Sequence, residues 1–386
     1  MIVNRNLNSL KRDPSPRRIL FVQTQMENAG AQEVSRLVAA GLAARGHTVR
    51  HLFFYARTTG ASDVADVDIC ASTRPNGPLA FLRLLREGRR HIARYRPDVV
   101  LTFQHWGNVV GAPLVWAANR APIIANQVSP ANVIHPAARW LDRLWGTIGL
   151  YRLNTTNSHE TESYCVDYPN AYRARLTRVA YGCEMKTSSL TRSEARAALG
   201  LPVDAAIIGS AARLNPIKRL DAALRIMPHL PDTHLALAGQ GPAKADLMRL
   251  ASELGVTDRV HFLGELQPTA VGDFLAALDV FVFPSAGETF GLAGLEAAIA
   301  GVPVVAADLP VLQDVLSAEG NQGALFVDPT DTGHFAAVVS GLLGDAGQAA
   351  ALRAMGGALA RRHSLDAMIE SYAALVESIP MKVSHT

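Results

Sequence analysis

The sequence predicts an α/β protein of two Rossmann-like domains facing a cleft, on three observations. At 386 residues the chain exceeds what one hydrophobic core usually supports. Short β-branched runs alternate with helix-period segments from Arg17 onward, and the alternation restarts near Ala205. The runs PDVVLTF from Pro97 and APIIANQ from Ala121 are continuously apolar, the pattern of parallel strands covered on both faces.

Each element follows in order. RRILFVQ, Arg17 to Gln23, reads as a strand leading into the loop TQMENAGAQ. EVSRLVAAGLAARG carries apolar residues at helical spacing and closes at Gly46, and HTVRHLFFY is the next strand, completing a βαβ unit. In the second half, AAIIGSAARL from Ala205 is strand and loop, RLDAALRIMPHL a helix, and THLALAGQG a strand ending at Gly239 and Gly241. AKADLMRLASELG is a helix closed by Gly255, and DRVHFLGE, FLAALDVFVFP and GVPVVAAD continue the alternation. The boundary is expected in the polar Ser/Thr stretch between Tyr181 and Pro202, before a new helix at Ser193. SLDAMIESYAALVES is an amphipathic helix that packs either locally or across on the first domain.

Composition narrows the function classes. Hydrophobic residues at 49% and charged residues at 18% describe a folding chain. A net charge of +3, with no dense Lys/Arg block, argues against nucleic acid and suits an anionic small molecule or an anionic membrane surface. Cys70, Cys165 and Cys183 have neither disulfide nor zinc spacing, which points to a reducing compartment. The polar N-terminal stretch lacks the apolar core of a signal peptide, and the longest apolar stretch, from Val109, is interrupted by Pro113, Asn119, Arg120 and Pro122. A cytoplasmic location is expected.

The chemistry concentrates in AGETFGLAGLEAAIAG, residues 286–301, which follows the strand LDVFVFPS. A helix starting near Phe290 or Gly291 leaves Glu288 in the strand-to-helix loop, and residues Thr289 to Leu292 then offer free backbone N–H groups to an anion. Gly287 and Gly291 allow close approach of a ligand to the backbone. Glu288 and Glu296 stand eight positions apart. That is roughly 12 Å at helical rise, too far for two carboxylates acting on one bond. A ligand with an anionic middle and hydroxyl-rich ends fits; the alternative is a Glu288 that favours the helix dipole and a solvated Glu296. In GSAARLNPIKRLDAAL, Arg213 and Lys218 read either as a diphosphate clamp or as ordinary surface cations.

GETFGLAGLEAAIAGVPVVAAD, SAARLNPIKRLDAAL, LALAGQGPAKADLMRLASELGVTDRVHFLGE and DVFVFPS resemble, in order and spacing, the retaining glycosyltransferases of family four, the group 1 glycosyltransferases of GT-B fold. The resemblance is strong from about Arg192 to Ala307 and weaker before it. It implies an acceptor-binding domain over 15–185, a nucleotide-sugar donor domain over 186–363, and a helix in 364–386 crossing back to the first domain. It implies that Arg213 and Lys218 contact the donor diphosphate, Glu288 the sugar hydroxyls and Glu296 the ribose. Backbone groups at Phe290, Gly291 and Leu292 would hold sugar or phosphate, and the stretch from His261 to Gly264, with Phe262 and Leu263, would frame the base. Arg213, Lys218 and Glu288 are the catalytic candidates.

The chain departs from the pattern in its first half. The N-terminal loop reads AsnAlaGlyAlaGln, with Gln32 where the family usually has Glu, while Gly30 keeps close approach to a diphosphate open. The strand DVVLTFQHW places His105 later than usual. His105, Trp106 and Asn108 at this strand end are either acceptor contacts or a bland surface loop.

The implied reaction is transfer of a hexosyl group from a nucleoside-diphosphate sugar to a saccharide acceptor, which the basic-aromatic segment Arg139, Trp140, Arg143, Trp145 and Arg152 would allow to be lipid-linked and membrane-associated. A packed helix with solvated arginines reads that segment equally well. No cofactor, no metal and no nucleic acid are expected, Asp66–Val67–Asp68 being the one triplet of metal-binding type. The rival reading is a non-catalytic or epimerase-like sugar-nucleotide-binding protein.

Overall fold

The computed structural model describes residues 11–27, 29–57, 66–129 and 134–381. Asn28, in the N-terminal loop singled out above, lies outside the described residues. The chain divides into two compact units, Met1–Gly182 with Leu365–Thr386, and Cys183–Ser364. The divide therefore falls three residues before the expected boundary after 185, and the return one residue after the expected 363/364. Its physical mark is a parallel bridge between Cys183 and Ser364, closed by the Cys183 N–H donating to His363 O at 3.1 Å.

The first unit is a seven-stranded sheet in the order β3-β2-β1-β4-β5-β6-β7. Its strands are β1 (Arg18–Met26), β2 (Thr48–Ala56), β3 (Val67–Ile69), β4 (Val99–Phe103), β5 (Ile123–Gln127), β6 (Leu153–Thr156) and β7 (Leu176–Arg178), every pair parallel. Helices α1 (Gly30–Ala44), α2 (Pro78–Tyr95), α3 (Gln104–Ala118), α4 (Pro136–Ile148), α5 (His159–Ser163) and α6 (Asn170–Arg173) connect them. Leu20, Val22, Val100 and Ile123 carry the core against Leu84 and Ile92 of α2 and Val115 of α3. Continuous burial along β4 and β5 accounts for the unbroken apolar runs.

The second unit is a six-stranded parallel sheet in the order β10-β9-β8-β11-β12-β15. It comprises α7 (Arg192–Ala198), β8 (Ala206–Ala211), α8 (Leu220–Arg225), β9 (Thr233–Ala238), α9 (Lys244–Glu253), β10 (Val260–Gly264), α10 (Val271–Ala277) and β11 (Val280–Phe283). There follow α11 (Leu292–Ile299), β12 (Val304–Ala307), α12 (Pro310–Val315), a hairpin of β13 (Ser317–Ala318) and β14 (Asn321–Gln322), and β15 (Leu325–Val327). Helices α13 (Thr332–Gly344), α14 (Ala346–Ala354) and α15 (Gly356–Arg362) close the unit.

Local signals set several of these ends. Thr191 caps α7 in a reciprocal box with Glu194, so the helix starts one residue before the expected Ser193. RLDAALRIMPHL was expected as one helix, but α8 stops at Arg225 and a 3₁₀ turn spans Met227–His229. Pro228 lacks the donor that a continuing helix needs and disfavours helix at the residue before it.

The last helix, α16 (Leu365–Glu377), belongs to the first unit. A Cβ at Gly41 of α1 would come within 2.5 Å of Ile369 Cγ2, so glycine permits the close packing of α16 on α1. Tyr372, 1% exposed, donates its hydroxyl to Asn126 Oδ1 at 2.8 Å, and Arg17 Nη1 donates to Ile379 O at 2.6 Å. Among the described residues no single helix is long and apolar enough to cross a membrane.

Candidate functional site

In the second sheet the strand order reverses between β8 and β11, the place where parallel α/β sheets receive ligands at their carboxyl ends. Two loops leave the sheet there. The loop after β8 carries Arg213, half-buried, and turns through a 3₁₀ segment, Pro216–Lys218, to Arg219 at φ 49°. The loop after β11 carries Glu288 and ends at Gly291, φ 90°, the N-cap of α11. The Ala286 N–H donates to Ile217 O at 2.8 Å, joining the two loops.

That junction brings Lys218 Nζ to Glu288 Oε1 at 2.5 Å, with the side chains 22% and 11% exposed. The ammonium also lies 5.7 Å from the centre of the Phe283 ring, a cation–π position. Lysine and glutamate thus form one charge-compensated pair, a pairing the sequence did not show.

The helix begins at Leu292, slightly later than expected, so only the second half of the Glu288–Glu296 interval rises at helical pitch. Gly291 is required twice over. Its φ lies in the left-handed region, and a Cβ would stand 2.3 Å from Leu312 Cδ2. No side chain caps α11, which leaves its first N–H groups to backbone or ligand. Phe290 is 4% exposed with its ring edge-on to His363 at 5.4 Å, so its side chain is core and only its backbone can face a ligand. Glu296 sits half-buried on α11 between buried Leu295 and Ala297. Phe262 packs against the core of this unit, and Leu263 stands at a β-bulge of β10 ending in Gly264, φ 77°.

Glycines also weld the neighbouring loop. A Cβ at Gly239, φ 139°, would meet Ala212 O at 2.0 Å, and one at Gly241 would meet Leu214 O at 2.2 Å. The N–H groups of Ala212 and Leu214 donate to Ala238 O and Gln240 O, both at 2.9 Å. The Gly-Gln-Gly turn therefore fixes the backbone flanking Arg213. Sequence reasoning missed Ser210 Oγ, Asn215 Oδ1 and Ser285 Oγ, buried atoms near the same edge without a hydrogen-bond partner among the described residues. Only the strand order singles them out.

The first sheet reverses between β1 and β4. Gly30 is the exposed first residue of α1. Gln32 is buried and donates its amide to Gln25 O at 2.9 Å, so it finishes strand β1. His105, Trp106 and Asn108 lie on α3, not in a loop, and they separate there. Asn108 is 0% exposed; it accepts from Thr102 Oγ1 at 2.7 Å and donates to Asn126 O at 3.0 Å, which makes it an internal strut, correcting its expected place among acceptor contacts. Trp106 is 41% exposed. His105 is half-buried with Nδ1 3.4 Å from Ser129 Oγ, and burial lowers its pKa below the ordinary imidazole value, keeping the ring neutral.

His105 opens on a cavity of about 130 Å³ shared with Gln127, Arg139, Asp142, Tyr164 and Tyr168. Burial raises the Asp142 pKa, opposed by hydrogen bonds from Gln127, Tyr172 and Tyr151. The carboxylates of Asp66 and Asp68 face Arg50 at 3.4 Å each, and Asp68 also faces His91 at 3.2 Å. Among the described residues no group of three or more His, Cys, Asp or Glu could hold a metal ion.

Two parallel Rossmann-like sheets, one bearing charged, glycine-built loops at its strand reversal, define a protein of the GT-B class. Residues 191–357 match the model of the glycosyl transferases group 1 family, and the second unit belongs to that family. The D-inositol 3-phosphate glycosyltransferase of Mycolicibacterium smegmatis is 37% identical over 225 residues, 56% of this chain and 51% of that protein. The Streptomyces avermitilis protein of the same name is 32% identical over 280 residues, 68% of this chain and 58% of that protein. The chain thus spans about half the length of the curated relatives it matches. Among solved structures, Anabaena HepE in complex with UDP-glucose superposes with a TM-score of 0.79 at 21% identity, over 94% of this chain and 100% of that one. WaaG, a glycosyltransferase involved in lipopolysaccharide biosynthesis, superposes with a TM-score of 0.70 at 16% identity, over 93% and 99%.

Proposed function

We propose that the protein is a retaining glycosyltransferase that moves a hexosyl group from a nucleoside-diphosphate sugar to a saccharide acceptor, lipid-linked or phosphorylated, in glycan biosynthesis. The observation that carries this reading is the Lys218–Glu288 pair beside the uncapped start of α11. The relatives' names support a transferase and add a polyol phosphate to the acceptors worth trying. The UDP-glucose held by the Anabaena protein supports a uridine donor as the first choice.

In this reading Lys218 turns from Glu288 to the donor diphosphate, joined by Arg213 and the backbone N–H groups of Phe290, Gly291 and Leu292. Glu288 then accepts hydroxyls of the sugar and Glu296 those of the ribose, while Phe262 and Leu263 frame the base. Gly30 leaves the start of α1 open to a phosphate, and His105 and Trp106 serve the acceptor. The bond from the anomeric carbon to the diphosphate oxygen breaks as the acceptor oxygen bonds to the same face. The acceptor hydroxyl proton passes to the departing phosphate oxygen. Two cations and oriented N–H groups stabilise the negative charge on that oxygen without a metal ion. The enzyme works in the cytoplasm, at the inner face of the membrane.

The test is incubation with UDP-, GDP- and ADP-hexoses, with and without saccharide and polyol-phosphate acceptors, measuring nucleoside diphosphate release and the anomeric configuration of the product. Release that rises with an acceptor, with retained configuration, is expected. Binding of nucleoside diphosphates by thermal shift with no transfer, or conversion of one UDP-hexose into its epimer, would overturn the proposal.

A further inference from the structure

Helix α2 carries a surface that the transferase reading does not use. Between Arg74 and Arg96 there are seven arginines and one acid, Glu87, a net charge of +6. The whole chain carries +3, so the remaining residues together carry −3. The arginines stand apart in sequence, and only the helical turn gathers them. Leu79, Leu82, Arg83, Arg86, Arg90, Ala93 and Arg94 follow a spacing of three and four and share one face, opposite the buried Leu84, Gly88 and Ile92.

That face has two parts. Its first turns are apolar, with Leu79 at 72% and Leu82 at 59% exposure. The rest is basic. Arg90 lies 3.6 Å from Glu87, and no other ion pair joins Arg83, Arg86, Arg89 or Arg94 to a carboxylate among the described residues. Helix α3 lies alongside, tied to the end of α2 by Asn119 Nδ2 donating to Pro97 O at 2.9 Å.

We infer that the exposed face of α2 docks on an anionic lipid bilayer, inserting Leu79 and Leu82 while the arginines meet lipid phosphates. Charge complementarity selects an anionic partner. Exposed leucines beside the arginines select a lipid surface over a nucleic acid, whose backbone offers no apolar layer to receive them. The inference rests on the membrane location proposed above and names its surface, while its readout is partition rather than turnover, so it can fail without the transferase reading failing.

The experiment is co-sedimentation of the full chain with vesicles of phosphatidylcholine alone and with about 30% phosphatidylglycerol. Binding is expected only to the anionic vesicles and weakens with salt. Each arginine held near the surface contributes about fivefold, so R86Q/R90Q is expected to lower partition roughly 25-fold. L79S/L82S is expected to lower it tenfold or more while its salt dependence stays. Both pairs are exposed, and circular dichroism and Tm should match the parent. Equal binding to neutral vesicles would overturn the inference. So would L79S/L82S binding anionic vesicles and a DNA duplex as the parent does, which marks a general polyanion site. A dimer of the parent that L79S/L82S dissolves would instead assign the face to a second copy of the chain.

Discussion

At the strand reversal of the second sheet, from β8 to β11, the loops set a lysine against a glutamate and hold the backbone by glycines at φ 139° and 90°. At the reversal of the first, from β1 to β4, neutral groups finish most of the ends, and one ion pair, Glu27 with Arg57 at 3.7 Å, stands just past β1. Gln32 donates to Gln25 O, the Thr24 N–H donates to Gln104 Oε1 at 3.2 Å, and the Gly107 N–H donates to Thr24 Oγ1 at 3.2 Å. The same topology is thus equipped in two ways. A lysine beside an uncapped helix start is suited to an anion whose charge grows during reaction, and neutral amide and hydroxyl partners to holding strand ends in place.

The sharpest way to break this contrast is Lys218→Ala, which removes the ammonium and leaves Glu288 uncompensated. Transfer from the nucleotide sugar is expected to fall about 10²–10³-fold, as for loss of one preorganised donor, with Tm nearly unchanged. Steady-state rates check this, and turnover within a few-fold of the parent would remove Lys218 from the reaction. Next comes Gly239→Ala, which tests whether glycine geometry supports the charged loops. A Cβ 2.0 Å from Ala212 O, at a left-handed φ, is expected to cost about 3 kcal/mol, measured by urea denaturation. An unaltered midpoint would show that the loops after β8 and β9 can separate freely.

His51 sharpens the neutral side. It is 4% exposed on β2, 3.4 Å from Gln23 Nε2, and burial depresses its pKa from 6.5 to about 4. The unfolded chain takes up this proton near pH 6.5, the folded chain only near pH 4. The stability contribution is therefore complete above pH 6.5 and is lost as pH falls towards about 4, about 2 kcal/mol by pH 5. His51→Gln is expected to flatten the stability profile in that window, whatever it does to stability at pH 8. A slope equal to the parent's would mean that the imidazole is charged in the folded state.

The contrast also explains which parts could be read in advance. The second unit was legible nearly element by element, because Gly239, Gly241, Gly255 and Gly291 punctuate it and Glu288 and Lys218 interrupt small or apolar runs. Its errors were local: Pro228 shortens α8, and the pairing of Lys218 with Glu288 spans 70 positions of sequence. In the first unit α2 and α3 were not assigned, and α4 was read only as one of two alternatives for the basic-aromatic segment. The apolar stretch from Val109 is the inner part of α3, with Pro113 inside the helix. Asn108, Asn126, Asp142 and Tyr372 look like scattered polar residues until the fold buries them together, and no spacing rule links residues that far apart.

The parallel bridge between Cys183 and Ser364 has a consequence for synthesis. It places the two ends of the second unit side by side, so 182 consecutive residues form a guest inserted into a host that is interrupted. During translation the guest is finished while α16 is still unmade, and the host must keep the surface of α1 around Gly41 waiting until Ile369 emerges. The half that carries the Lys218–Glu288 pair can close early, and the half that carries the arginine face closes last.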